Sequence, residues 1–191
     1  MMKLIFGLLS AVFIISSCTQ NEILIPKPPT YLRLELPEHT YTKFKDECPY
    51  TFEISSLYKV KSVSDSTQQT CHKDIDLGPV NGVIHFSYIS MTEKLSTYIN
   101  YSNDKVEDHK LKATGIEDTQ IIRTKDRVFG TFFKLKGDVA SPFQFYLTDS
   151  TSRFVSGVIY LNSVPNYDSL RPTLDYLEKD LLKMVNTFEW K

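Results

Sequence analysis

The chain has little of what usually betrays a chemistry. Three cysteines, four histidines, one tryptophan and seven glycines are spread over 191 residues. No Cys-x-x-Cys occurs, and His39, His72, His85 and His109 lack zinc-ligand spacing, which argues against a metal or other cofactor. No serine sits in the small-residue elbow that presents a hydrolase nucleophile. Twenty-two lysines and arginines stand against 23 acids, a formal net charge of −1 with no basic stripe to neutralise phosphates, so nucleic acid is excluded as a partner. The apolar stretch Leu4–Ile15 is also too short, at twelve residues, for the roughly 20 that a membrane-spanning helix needs.

What the N-terminus does contain is an export signal. Lys3 supplies a positive start, the apolar stretch follows, and Ser16-Ser17-Cys18 places a cysteine after two small residues. Small residues there let a lipoprotein signal peptidase reach the backbone, so residues 1–17 read as a cleaved signal and Cys18 as the acylated first residue. An ordinary signal peptide that happens to contain a cysteine is the competing reading. Each buried acyl methylene contributes roughly 0.8 kcal/mol, so two or more chains hold a protein on a membrane almost permanently. Residues 18–30 then form a tether, polar at first and extended by Pro26, Pro28 and Pro29. Among Thr19, Gln20, Asn21 and Glu22 only one residue is acidic, which favours an outer-membrane lipoprotein facing the periplasm over one exported to the cell surface.

With Cys18 lipidated, Cys48 and Cys71 are the remaining pair, and an oxidising periplasm lets them bond. A disulfide closing a loop of this size contributes roughly 3 kcal/mol in the chain-entropy model. It competes with a metal site or a catalytic thiol, which neither Cys-x-x-Cys spacing nor nearby histidines support.

Residues 31–191 read as one α+β domain. Tyr31–Leu36 alternates, Tyr50–Ile54 and Lys59–Val63 are short strand candidates, and Ser64–Thr70 reads as a surface loop. Val83–Ile89 is a stronger strand with apolar groups on both faces, a sign that it is covered on both sides. From Glu93 to Ala113 the period becomes helical, with Leu95, Tyr98, Ile99, Ser102, Val106, His109 and Ala113 on one side. Ile116–Arg123, Val128–Lys136, Phe143–Thr148 and Phe154–Leu161 follow as an antiparallel meander. Leu170, Leu174, Leu177, Leu181, Val185 and Phe188 mark a terminal helix with Asp168 and Ser169 as cap candidates. The expectation is a meander sheet sandwiched between helices, with an irregular N-terminal region pinned by a disulfide. That order of elements resembles the PsbP and Mog1 architecture.

Two site readings compete with a purely structural one. His85, His109, Asp149 and Ser150 include the residue types of a hydrolase triad, but Ser150 and Asp149 fall in a polar turn and His109 on the apolar helix stripe, where a hydrogen-bonded core histidine is commoner. Tyr98, Tyr101, Tyr146 and Tyr160 could stack on sugars of a cell-envelope glycan, although core packing explains aromatic residues on helices and strands more simply.

Several strings matter as a set: Cys48-Pro49-Tyr50-Thr51-Phe52-Glu53, Ile84-His85-Phe86-Ser87-Tyr88, His109-Lys110-Leu111-Lys112-Ala113, Gln144-Phe145-Tyr146-Leu147-Thr148-Asp149-Ser150, Pro165-Asn166-Tyr167-Asp168-Ser169-Leu170 and Thr187-Phe188-Glu189-Trp190-Lys191. Together they resemble the GldD family of gliding-motility lipoproteins of Bacteroidetes, from about Tyr31 to Lys191. His72 stands where that family is expected to have an aromatic residue. The resemblance implies a membrane lipoprotein with no catalytic activity, needed for gliding and the linked type IX secretion machinery and working with other envelope proteins of that machinery. It also brings in O-glycosylation at Asp followed by Ser or Thr: Asp65-Ser66-Thr67, Asp149-Ser150-Thr151 and Asp168-Ser169-Leu170 fit, with Ser66 the favoured position.

Overall fold

A computed structural model of the chain describes residues 31, 34–65 and 68–191. The signal 1–17, the tether 18–30 with Cys18, and Ser66 lie outside the described residues. The strands are β1 (Tyr41–Phe44), β2 (Tyr50–Ser55), β3 (Lys59–Asp65), β4 (Gln68–Asp76), β5 (Gly82–Ser90), β6 (Ala113–Arg123), β7 (Val128–Gly137), β8 (Phe143–Thr148), β9 (Arg153–Leu161) and β10 (Glu189–Trp190). Helix α1 spans Leu95–Glu107 and helix α2 spans Tyr167–Asn186.

Seven strands form one antiparallel sheet in the order β3-β4-β5-β9-β8-β7-β6, and β1-β2-β10 make a smaller one. Side chains alternate along each strand, so register fixes which of them share a face. Phe86 lies opposite Gly157, which lies opposite Phe145, which lies opposite Phe132. This row belongs to the main core, with Ile84, Ile159 and Phe143 beside it. Leu174, Leu177, Leu181, Met184 and Val185 of α2 cover it, together with Tyr50 and Phe52 of β2 and Phe188 beyond the helix. Gly157 is required here, because a Cβ would stand 2.2 Å from the Phe145 ring. Full burial of each large side chain in this layer contributes about 1.5–3 kcal/mol.

The opposite face carries His85 and Ser87 of β5, Ser156, Val158 and Tyr160 of β9, Gln144 of β8 and Phe133 of β7, and α1 lies over it. Its buried apolar packing is thinner: Val106, Leu135 and Val139 with Ala113, Ile116 and Phe133 around them, and Phe154 between Tyr98 and Tyr146. The α+β sandwich expected from the order of elements is therefore present, with very unequal cover on its two sides.

Several boundaries differ from the sequence reading. The N-terminal region is not irregular, since β1 pairs with β2 and β3 with β4. Of the expected strand Tyr31–Leu36, the described residues Tyr31 and 34–36 belong to no ladder: Tyr31 and Leu34 are exposed, while Leu36 packs against the core. Of the expected loop Ser64–Thr70, Ser64 and Asp65 close β3 and residues 68–70 open β4, where backbone pairing and a bulge between Val63 and Asp65 override the polar composition. Helix α1 stops at Glu107, and Asp108–Leu111 turn so that Ala113 can open β6. The helix-like spacing of His109 and Ala113 was coincidental, because Asp108, Lys110 and Lys112 are too polar to continue onto the sheet. The cap of α2 is Asn166, whose side chain accepts from Ser169 N, and this places Asp168 and Ser169 inside the first turn.

The chain is fastened on the α2 side at both ends. Entering the domain, His39 Nδ1 donates to Asp180 of α2 at 2.7 Å, and the His39 ring stacks on Tyr176 at 4.1 Å. Tyr58 OH donates to the other Asp180 oxygen at 2.7 Å, which satisfies a fully buried carboxylate. Burial and the same carboxylate push the Tyr41 phenol up to about 12. Leaving the domain, β10 pairs with β2, Lys191 N donates to Pro49 O at 3.0 Å and Trp190 Nε1 to Arg127 O at 3.0 Å.

Cys48, just before β2, is bonded to Cys71 of β4, with the Cα atoms 5.6 Å apart. Two neighbours reinforce this link between the sheets. Tyr50 OH donates to Cys71 O at 2.7 Å, and the buried Lys73 ammonium meets Asp46 at 2.6 Å. In protein isolated without reductant, Cys48 and Cys71 should resist thiol labelling, and both should label after reduction, with a stability loss of roughly 3 kcal/mol. Peptide mapping that finds both thiols free before reduction contradicts the linkage.

Candidate functional site

Helix α1 covers its face of the sheet incompletely for reasons visible in its sequence. Among its residues only Val106 is buried, and its N-cap residue Lys94 makes no side-chain cap. Tyr98 helps instead from within the helix: its OH accepts from Thr92 N at 3.0 Å and Glu93 N at 3.3 Å, and its ring packs on Phe154. Beneath the rest of the helix lies a cavity of about 510 Å³, with β4, β5, β9, β8 and β7 as floor and α1 as roof. That volume falls within the roughly 300–1,000 Å³ of small-molecule sites.

Gln144 sits on the floor, on β8, beside the central strand β9. It is 4% exposed, and its amide Nε2 is buried without a hydrogen-bond partner. Ser102 Oγ, on the roof, is likewise buried and unpartnered. Ser87 and Ser156 add hydroxyls, while Ile89, Phe133 and Val158 add apolar wall. An unpaired buried donor is costly, so this cavity is built to give hydrogen bonds to something inside it.

The charged and titratable groups at the cavity are largely committed. His85 Nδ1 donates to Asp74 on the neighbouring strand at 2.7 Å, an exposed pair contributing little to stability. His72 Nδ1 accepts from Tyr88 N at 3.1 Å, which directs its remaining ring N–H outward from Nε2. Lys105 lies over the Tyr101 ring at 5.4 Å and 3.8 Å from Asp108. Tyr101, from the roof, is 61% exposed and Tyr160, from the floor, 38%, so two aromatic rings flank the site while remaining open to solvent. Among the described residues no group of three or more His, Cys, Asp and Glu is placed to hold a metal ion.

The fold is thus an α+β sandwich with a cavity that holds an unpaired amide and an unpaired hydroxyl. The chain belongs to the gliding motility lipoprotein GldD family, whose model matches residues 21–190. No curated protein matches it. Among solved structures, the solution structure of cyanobacterial PsbP (CyanoP) from Synechocystis sp. is similar with a TM-score of 0.45 at 10% identity, covering 86% of this chain and 100% of that one. No helix among the described residues is long and apolar enough to cross a membrane.

The four residues with hydrolase chemistry are dispersed. His85 faces Asp74 at the cavity; His109 follows α1, where burial pushes its imidazole below the ordinary range. Ser150 and Asp149 shape the β8–β9 turn, Ser150 with a left-handed φ of 66°. Of the four tyrosines singled out in the sequence, Tyr101 and Tyr160 reach the cavity, whereas Tyr98 braces α1 and Tyr146 is buried against Phe154 with its OH accepting from Thr131. Sequence reasoning missed Gln144, Ser102, His72 and Asp74. Gln144 alone left a signal, as a lone amide inside the apolar run Phe143–Leu147.

Asp149 has a structural task. Burial alone raises its pKa, but backbone N–H groups of Ser152, Arg153 and Thr151 at 2.8–2.9 Å outweigh that and hold the carboxyl down to about 2, against an ordinary 3.8. A depressed folded value means stability that is complete above 3.8 and lost as pH falls through about 2. Asp149→Ala should therefore cost roughly 2 kcal/mol at neutral pH. Chemical denaturation from pH 7 to 2 should show wild type and variant converging across that window; a gap independent of pH contradicts this role.

Proposed function

We propose that this lipoprotein, anchored through a lipidated Cys18 in the outer membrane and facing the periplasm, is a non-catalytic component that binds other envelope proteins of the gliding and type IX secretion machinery. The family match over residues 21–190 carries the reading. The dispersal of His85, His109, Asp149 and Ser150 agrees with it, because each has a structural partner or position of its own. A lipid anchor with a proline-containing tether suits a part that must stay on the membrane while reaching neighbours.

The test is genetic complementation in the source organism. Deleting residues 31–191 should abolish gliding or type IX secretion, and Ser150→Ala and His109→Gln should restore both to wild-type levels at equal protein abundance. Cys18→Ala should move the protein from the membrane to the soluble periplasmic fraction. Loss of function in either conservative variant with unchanged thermal unfolding, or retention of Cys18→Ala in membranes at high salt, contradicts the proposal.

A further inference from the structure

We propose that the cavity beneath α1 is a saccharide site that takes a neutral N-acetylated amino sugar, one or two rings long. This goes beyond the assembly role and stands or falls separately from it.

The two unpartnered polar atoms are the starting point. Gln144 Nε2 on the floor and Ser102 Oγ on the roof are shielded from solvent and bonded to no protein atom. A hydrocarbon chain would leave both unpaired in an apolar surrounding, which makes an acyl ligand a poor occupant. An anion is a poor occupant too. Lys105 is the cationic side chain lining the cavity, and it is engaged with the Tyr101 ring and Asp108, while His85 is paired with Asp74.

A neutral polyol that also has apolar faces meets both requirements. Ser87, Ser102 and Ser156 can exchange hydrogen bonds with ring hydroxyls. The exposed rings of Tyr101 and Tyr160, one from the roof and one from the floor, offer flat faces for the C–H side of a pyranose. The acetamido group supplies the finer match. Its carbonyl is the acceptor that Gln144 Nε2 lacks, and its methyl suits the apolar wall of Phe133, Val158 and Ile89. At about 510 Å³ the cavity has room for a saccharide of one or two rings.

Titration calorimetry on the full mature protein tests this with N,N′-diacetylchitobiose, with cellobiose, which has the same ring skeleton without acetamido groups, and with palmitate. Diacetylchitobiose should bind at one site, and cellobiose at least tenfold more weakly. Gln144→Leu should weaken diacetylchitobiose at least tenfold with an unlowered Tm, because it replaces an unpaired buried donor by an apolar group. Tyr160→Ala, an exposed position, should weaken it several-fold and serves if the Gln144 variant does not fold. No binding of diacetylchitobiose, meaning that water alone occupies the cavity, overturns the proposal. So does equal affinity for cellobiose, displacement by palmitate, or full affinity in folded Gln144→Leu and Tyr160→Ala.

Discussion

A sheet seven strands wide has two faces to keep from water; among the described residues α2 and β2 together cover one of them, and the shorter α1 lies over the other. At a strand spacing of about 4.8 Å the sheet is roughly 29 Å across, and α2, at 20 residues, is about 30 Å long. Helix α1 has 13 residues and reaches only about 20 Å. The dense core lies under α2, where Tyr50 and Phe52 of β2 and Phe188 add to the helix, and the cavity lies under the shorter α1. Phe86, Phe145 and Phe143 are almost completely buried on the first face; on the second, serines, a glutamine and histidines line open space.

The fastenings follow the same asymmetry. The incoming segment is held by His39 on Asp180, the outgoing one by β10 on β2, and the Cys48–Cys71 bridge ties the small sheet to the large one. None of these touches α1, which is held by Val106, by the Tyr98 brace and by a few partly buried side chains. Regions with few buried apolar contacts open locally at lower free energy than the global value. The α1 face is thus the part of the molecule able to admit a ligand without disturbing the fold, while the other face keeps the domain intact on its membrane tether.

Legibility in the sequence tracked the strength of local patterning. The four meander strands and α2 were readable because their alternation or three-to-four period runs over many residues, and Phe143–Thr148 matched to the residue. Strand β1 was missed and only the start of β4, residues 68–70, was read as loop, because their polar residues are strands only through neighbours supplied by the fold. The end of α1 was misplaced because a helical spacing continued by chance across Asp108–Lys112. The cavity was invisible for a different reason. It is assembled from α1 and five strands far apart in the chain, and no local string of residues encodes that. Of its polar lining, only Gln144, a lone amide in an apolar strand, left a local signal in the sequence.

The central claim is that one face of the sheet is locked and the other only lightly covered, and native-state hydrogen exchange measures this directly. Amides of α2, β5, β8 and β9 should exchange only through global unfolding, with one shared free energy. Amides of α1 should exchange through local opening, several kcal/mol below the global value. Protection of α1 equal to that of α2 would contradict the account, since the helix would then be as firmly packed as the core it faces across the sheet.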